Sequence, residues 1–264
     1  MYLERRGFVT DLPAFQLRGR AVGCRGYGWL MTTSAMVLVH GAWGGSYGFR
    51  KVRPLIWGAG REVYTPSLTG IGERSHLTSP QVRLSTHVSD VVNTVLYEDL
   101  EDIVLLGFSY GGMVVTGALE HIADRVKHMV FLDAFVPNDG ESVMDRTGEE
   151  GDHRIELAED WLLPPRPRLL ADPVEQAWSE ARRSLQPIGT FREPVRLSRA
   201  LEEFDFSLTY IKATADPDEP ADSFFWDAAR RAKANGWAYH EIATHHMVPF
   251  THPREIADIL LALD

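Results

Sequence analysis

From residue 35 to the end of the chain, short apolar runs alternate with stretches whose apolar residues recur every three to four positions. "AMVLVH" (35–40), "DIVLLGF" (102–108), "HMVFLDAF" (128–135) and "SLTYIKAT" (207–214) are continuous apolar runs. Such runs predict strands buried on both faces. "REVYTPS" (61–67) and "WAYHEIA" (237–243) are shorter strand runs. Between them, "THVSDVVNTVLY" places Val88, Val91, Val92, Val95 and Leu96 on one helical face, and "SFFWDAARRAKA" does the same with Phe224, Phe225, Ala228, Ala229 and Ala232. "GGMVVTGALEHI" (111–122) is apolar nearly all round and predicts a buried helix. "HPREIADILLAL" (252–263), with Pro253 in its first turn, closes the chain as a helix. Alternating strands and helices of this kind predict an α/β fold, a parallel sheet covered by helices on both faces.

Two regions break the rhythm. From Pro137 to about Glu203 no strand run is found, and prolines crowd into "WLLPPRPRLLADP" (161–173). This excursion, at about 137–205, is expected to be a helical cap inserted over the sheet, with Trp161, Leu162, Leu163, Trp178 and Phe191 supplying apolar surface. Residues 1–30 carry five arginines and scattered glycines without periodicity. They are expected to form a flexible extension to a domain spanning 31–264, with Met31 as the alternative start. No apolar core follows the arginines, so the extension does not read as a signal peptide.

Composition narrows the function. The 264 residues suffice for one full core. A formal net charge of -10 disfavours nucleic acid and anionic membranes as partners. No apolar run approaches the length of a membrane span. The single cysteine, Cys24, excludes an intrachain disulfide framework and fits a reducing compartment, so a cytoplasmic protein is expected.

The chemistry gathers at Gly107-Phe108-Ser109-Tyr110-Gly111, a G-x-S-x-G pentapeptide lying between a strand and a helix. A sharp turn there exposes the serine hydroxyl at the sheet's edge, and glycines leave room for the close chain crossing. Ser109 needs a base and an acid, in the chain order Ser, Asp/Glu, His. His245 and His246 both lie on the loop after the last strand; His240 falls in the strand and His252 at the helix start. Asp216, first in the loop after "SLTYIKAT", is the expected acid, and Asp133 is its rival. The oxyanion needs two donors: the amide of Tyr110, after the nucleophile, and that of Ala42 in "VHGAWGG". The histidine spacing matches no common zinc pattern, and no metal or organic cofactor is expected.

"VLVHGAWGGSYGFRKVRPLI", "VYTPSLTGIGERSHL", "LLGFSYGGMV", "VFLDAFVPNDGES" and "HHMVPFTHPREIADILL" resemble the α/β-hydrolase superfamily, in particular the small-esterase branch with plant methyl esterases and hydroxynitrile lyases. The resemblance covers about residues 35–264. It implies an α/β-hydrolase fold, a mostly parallel sheet with an inserted helical cap, and a homodimer. It assigns the base to His246, since His245-His246-Met247 aligns with an Asp-His-Met pattern. It assigns the acid to Asp216 through Thr214-Ala215-Asp216, and the oxyanion residue to Ala42. Lyases of the branch have Thr and Lys where this chain has Gly41 and Met247, which argues against cyanohydrin cleavage. The expected activity is therefore a serine carboxylesterase acting on small esters through an acyl-enzyme. Hydrolysis of a lactone, an amide or a C–C bond is the alternative, with a lyase or a non-catalytic ligand-binding member behind it. Trp161, Phe191 and Phe135 predict an apolar pocket, and no basic cluster in the sequence points to an anionic substrate.

Overall fold

The computed structural model describes residues 34–147, 161–217 and 219–263. The expected extension at 1–30 lies outside the described residues. Strands β1 (Met36–Val39), β2 (Val63–Tyr64), β3 (Ile103–Phe108), β4 (Val126–Leu132), β7 (Ser207–Ala213) and β8 (Ala238–Ile242) form one sheet in the order β2-β1-β3-β4-β7-β8. Every pairing in it is parallel. β3 lies near the centre with all six residues buried, as its unbroken apolar run requires. β8 lies at the edge, where exposed His240 and Glu241 discourage further pairing.

The helices cover both faces and sort the core into two layers. Helix α2 (Leu84–Tyr97) buries Val88, Val91, Val92 and Val95, as its periodicity predicts. Leu96, in the last turn, falls off that face and is 39% exposed. Each fully buried valine contributes roughly 1.5–3 kcal/mol relative to an exposed one. Helix α3 (Gly111–Ile122) is buried over almost its whole length and shares this layer with α7 (Phe224–Ala234). The Ser223 hydroxyl accepts the Trp226 amide and caps the start of α7. On the other face α1 (Arg53–Gly58) and α9 (Pro253–Leu261) pack against the second layer through Ile56, Ile256 and Leu260.

Between β4 and β7 the chain leaves the sheet. The excursion contains α4 (Val143–Thr147), β5 (Leu162–Leu163), α5 (Pro173–Glu180), β6 (Gln186–Pro187) and α6 (Gly189–Arg192). β5 and β6 pair antiparallel as a two-stranded ribbon, a correction to the expectation that this stretch holds no strand. Two-residue strands with a proline in one of them leave no period to read. Among the described residues no helix is long and apolar enough to cross a membrane.

Candidate active site

The site sits at the carboxyl ends of the parallel strands, where ligands bind in open α/β sheets. Ser109 follows β3 directly and has φ 54°, a left-handed conformation that few side-chain-bearing residues adopt. The turn is held by its own backbone: the Ser109 N–H donates to Leu132 O at 3.2 Å, and Ser109 O accepts the amides of Gly112 and Phe135. At Gly111 a Cβ would lie 2.5 Å from Val39 O, so only glycine lets the start of α3 pass β1. The pentapeptide thus folds as a sharp strand-to-helix turn with its hydroxyl outward.

Ser109 Oγ lies 2.9 Å from His246 Nε2, on the loop between β8 and α8 (Val248–Thr251). His246 Nδ1 lies 2.7 Å from Asp133 Oδ2. These contacts fix the tautomer: Nδ1–H donates to the carboxylate, and Nε2 accepts the serine hydroxyl. Phe225 stacks on the imidazole at 4.8 Å between centroids, and Phe108 lies at 5.1 Å. The two rings hold the imidazole plane.

The carboxylate against the imidazole is therefore Asp133, and the expectation of Asp216 is corrected. Asp133 follows β4 directly with φ 41°, a left-handed step beyond which its side chain meets β7. Its N–H donates to Ile211 O at 2.7 Å, and its Oδ1 accepts Lys212 Nζ at 2.8 Å and Ala213 N at 3.2 Å. Asp216 instead accepts the backbone N–H of His246 at 3.1 Å and faces Arg168 Nη1 at 3.5 Å. It holds the histidine loop while Asp133 takes the ring. His245, the other histidine of the loop, turns its Nδ1 to the Met247 amide at 3.2 Å.

Lys212 is fully buried, and all three of its protons are used, by Asp133 Oδ1, Ala213 O (2.6 Å) and Glu219 Oε2 (2.7 Å). Burial pushes the Asp133 carboxyl up. The hydrogen bond and charge of His246, joined by Lys212, outweigh it and hold the group below its usual range. The lysine within "SLTYIKAT" was the available signal for Asp133: a cation inside a buried strand needs an acid beside it.

Ala42 and Tyr110 line the same cleft as Ser109 and His246. Among the described residues neither backbone amide has an acceptor within the protein, although Tyr110 is wholly buried. Buried amides are almost always paired, so donors left free beside a serine hydroxyl are suited to an oxyanion. The Ala42 loop is braced at three points by the excursion. Trp43 (φ 58°) donates its backbone N–H to Gln186 Oε1 at 2.9 Å and its indole N–H to Leu163 O at 3.1 Å, and its carbonyl accepts Ser184 N at 3.0 Å. His40 supports the loop from below the turn. Its Nε2 accepts Leu68 N at 3.1 Å and its Nδ1–H donates to Gly41 O at 2.9 Å; burial lowers its pKa and keeps it neutral. The Tyr110 hydroxyl points away from the cleft and donates to His87 Nδ1 at 2.9 Å, while His87 Nε2–H donates to Thr69 O at 2.8 Å.

The cleft is partly open to solvent. Phe135 and Phe191 line it as expected, together with Phe224, Phe225 and Phe250. Trp161 does not; it borders a separate groove beside Arg83 and Pro80. The sequence shows no basic cluster, yet the fold brings Arg166, Arg168 and Arg183 to the cleft wall. Among the described residues no cluster of His, Cys, Asp or Glu could hold a metal ion.

Residues 36–259 match the Alpha/beta hydrolase family, and the chain belongs to it. Within that family it is a carboxylic ester hydrolase. It is 34% identical over 241 residues to the carbendazim hydrolyzing esterase of Nocardioides sp. (strain SG-4G), covering 86% of this chain and 98% of that protein. Methylesterase 1 of Arabidopsis thaliana is 33% identical over 118 residues, 42% of this chain and 44% of that one. An extracellular α/β-hydrolase from a Paenibacillus species superposes with a TM-score of 0.75 at 23% identity, covering 88% of this chain and 99% of that chain.

Proposed function

We propose that the protein hydrolyses small aromatic esters through Ser109, His246 and Asp133. The observation that carries this reading is the unbroken run of contacts from Ser109 Oγ through both imidazole nitrogens to Asp133, opening on a largely aromatic cleft. Ser109 attacks the ester carbonyl while His246 Nε2 takes its proton. The amides of Ala42 and Tyr110 receive the developing oxyanion, each donor being worth about 100- to 1,000-fold in rate. His246 returns the proton to the departing alcohol, and water activated by the same nitrogen then clears the acyl-enzyme. Asp133 keeps the tautomer and stabilises the imidazolium. The phenylalanines around the serine favour an aromatic group in the substrate, and the relatives named methylesterase favour a small alcohol.

The test is hydrolysis of p-nitrophenyl esters from acetate to octanoate, and of carbendazim, by wild type and Ser109→Ala. The mutant should lose about a thousandfold or more in kcat/KM. A wild type that cleaves no ester, yet whose Ser109 still reacts with a fluorophosphonate, would move the reading to another reaction of the same nucleophile.

A further inference from the structure

The cleft has two unlike walls. Near Ser109 it is aromatic; on the side of the excursion it is cationic, with Arg168 and Arg183 contributing to its lining. This is notable in a chain of net charge -10, whose overall field repels anions. Arg183 is half-buried, donates from Nη1 to the Arg166 carbonyl, and lies 5.8 Å from the centre of the Trp43 ring. Among the described residues it has no carboxylate at ion-pair distance; Glu180, whose charge it feels, is bonded to Gln176. Arg168 faces Asp216 at 3.5 Å, a carboxylate that also accepts the His246 amide. Burial, aided by the nearby charge of Arg168, lowers the pKa of Arg183. Two guanidinium groups thus line the substrate cavity, and among the described residues only Arg168 has a carboxylate at ion-pair distance. A guanidinium offers five N–H donors in a planar fork that matches a carboxylate.

We propose that Arg183, with Arg168 beside it, forms an anion-accepting subsite in the cleft, and that the preferred substrates are half-esters of dicarboxylic acids. The ester group meets Ser109, and the free carboxylate lies against the excursion. This rests on the esterase reading, and it adds that one end of the substrate is charged.

Two measurements separate the claims. The first is calorimetric titration of Ser109→Ala with monomethyl isophthalate, repeated in the double variants with Arg183→Gln and Arg183→Lys. Loss of the guanidinium should weaken binding about tenfold or more, the scale of a charge-assisted pair. Lysine should restore part of it, and salt should weaken the interaction. Equal affinity in all three proteins, or no binding to Ser109→Ala, overturns the subsite. The second is kcat/KM for p-nitrophenyl hemiglutarate relative to p-nitrophenyl butyrate. Arg183→Gln should lower that ratio about tenfold or more; an unchanged ratio overturns the proposal. Should wild type cleave neither ester, the esterase reading fails, and the titration still decides the subsite.

Discussion

Two aspartates approach His246, and they do different work. Asp133 is wholly buried, bonds the ring, and has Lys212 on its other oxygen; Asp216 bonds the loop backbone and faces Arg168. Asp133→Asn presents an amide to Nδ1 and disturbs the tautomer, so kcat should fall by about 10,000-fold, the scale seen when a triad aspartate is replaced in this way. Asp216→Asn keeps an oxygen for the His246 amide and should cost roughly tenfold or less, a change within one hydrogen bond's net worth. Steady-state kinetics on one ester decides between them, and the reverse order would return the acid to Asp216. At this scale the sequence was legible for Ser109 and His246, because a strand, a G-x-S-x-G turn and the last loop place them. It was not legible for the acid. Both aspartates lie on loops that follow neighbouring strands, and the choice depends on a left-handed step at Asp133 and a buried lysine, neither of which periodicity reports.

At the scale of elements, the excursion does more than wall the cleft. Its short ribbon holds the Ala42–Trp43 turn through Gln186 and Leu163. Gln186 is wholly buried, and its Nε2 donates to Thr190 Oγ1 at 2.7 Å, which fixes the direction of its oxygen. Gln186→Ala leaves the partly buried Trp43 amide without its acceptor, a loss of about 0.5–1.5 kcal/mol, the net worth of one hydrogen bond. The turn should then drift and misplace the Ala42 amide, so kcat should fall about tenfold or more while KM changes little, because an oxyanion donor acts in the transition state. A rise in KM alone would mean that Gln186 shapes only the pocket. The sequence marked this segment by its prolines and missing strands but did not reveal the ribbon, since two-residue strands are set by tertiary contacts rather than by pattern.

For the whole molecule, the alternation of apolar runs and helical periods was enough to foresee all six sheet strands and the four long helices, because each buried strand is continuous and each helix carries one apolar face or, in α3, is apolar nearly all round. What pattern could not show were the polar groups sealed inside. His87 joins α2 to the turn after Ser109, and burial lowers its pKa to about 3. The unfolded chain takes up a proton near pH 6.5 that the folded chain refuses until about pH 3. Stability from this residue is therefore complete above about pH 6.5 and declines on acidification, by about 1.4 kcal/mol per pH unit, until the folded pKa is reached. His40 acts in the same direction. Urea unfolding between pH 7 and 4.5 should show this slope, and His87→Asn should make it shallower by about one proton's worth; an unchanged slope would place the effect elsewhere. The buried lysine has a different kind of consequence, one of descent. Lys212 and Asp133 each make the other more tolerable, since loss of the lysine leaves the buried Asp133 with His246 alone, and loss of Asp133 leaves the buried lysine with Glu219 alone. Exchanging them one at a time would pass through a protein with a less well paired buried charge. Lineages should therefore keep this pair together or lose it together, and the carboxylate that serves the histidine is tied to its history by a residue that never meets the substrate.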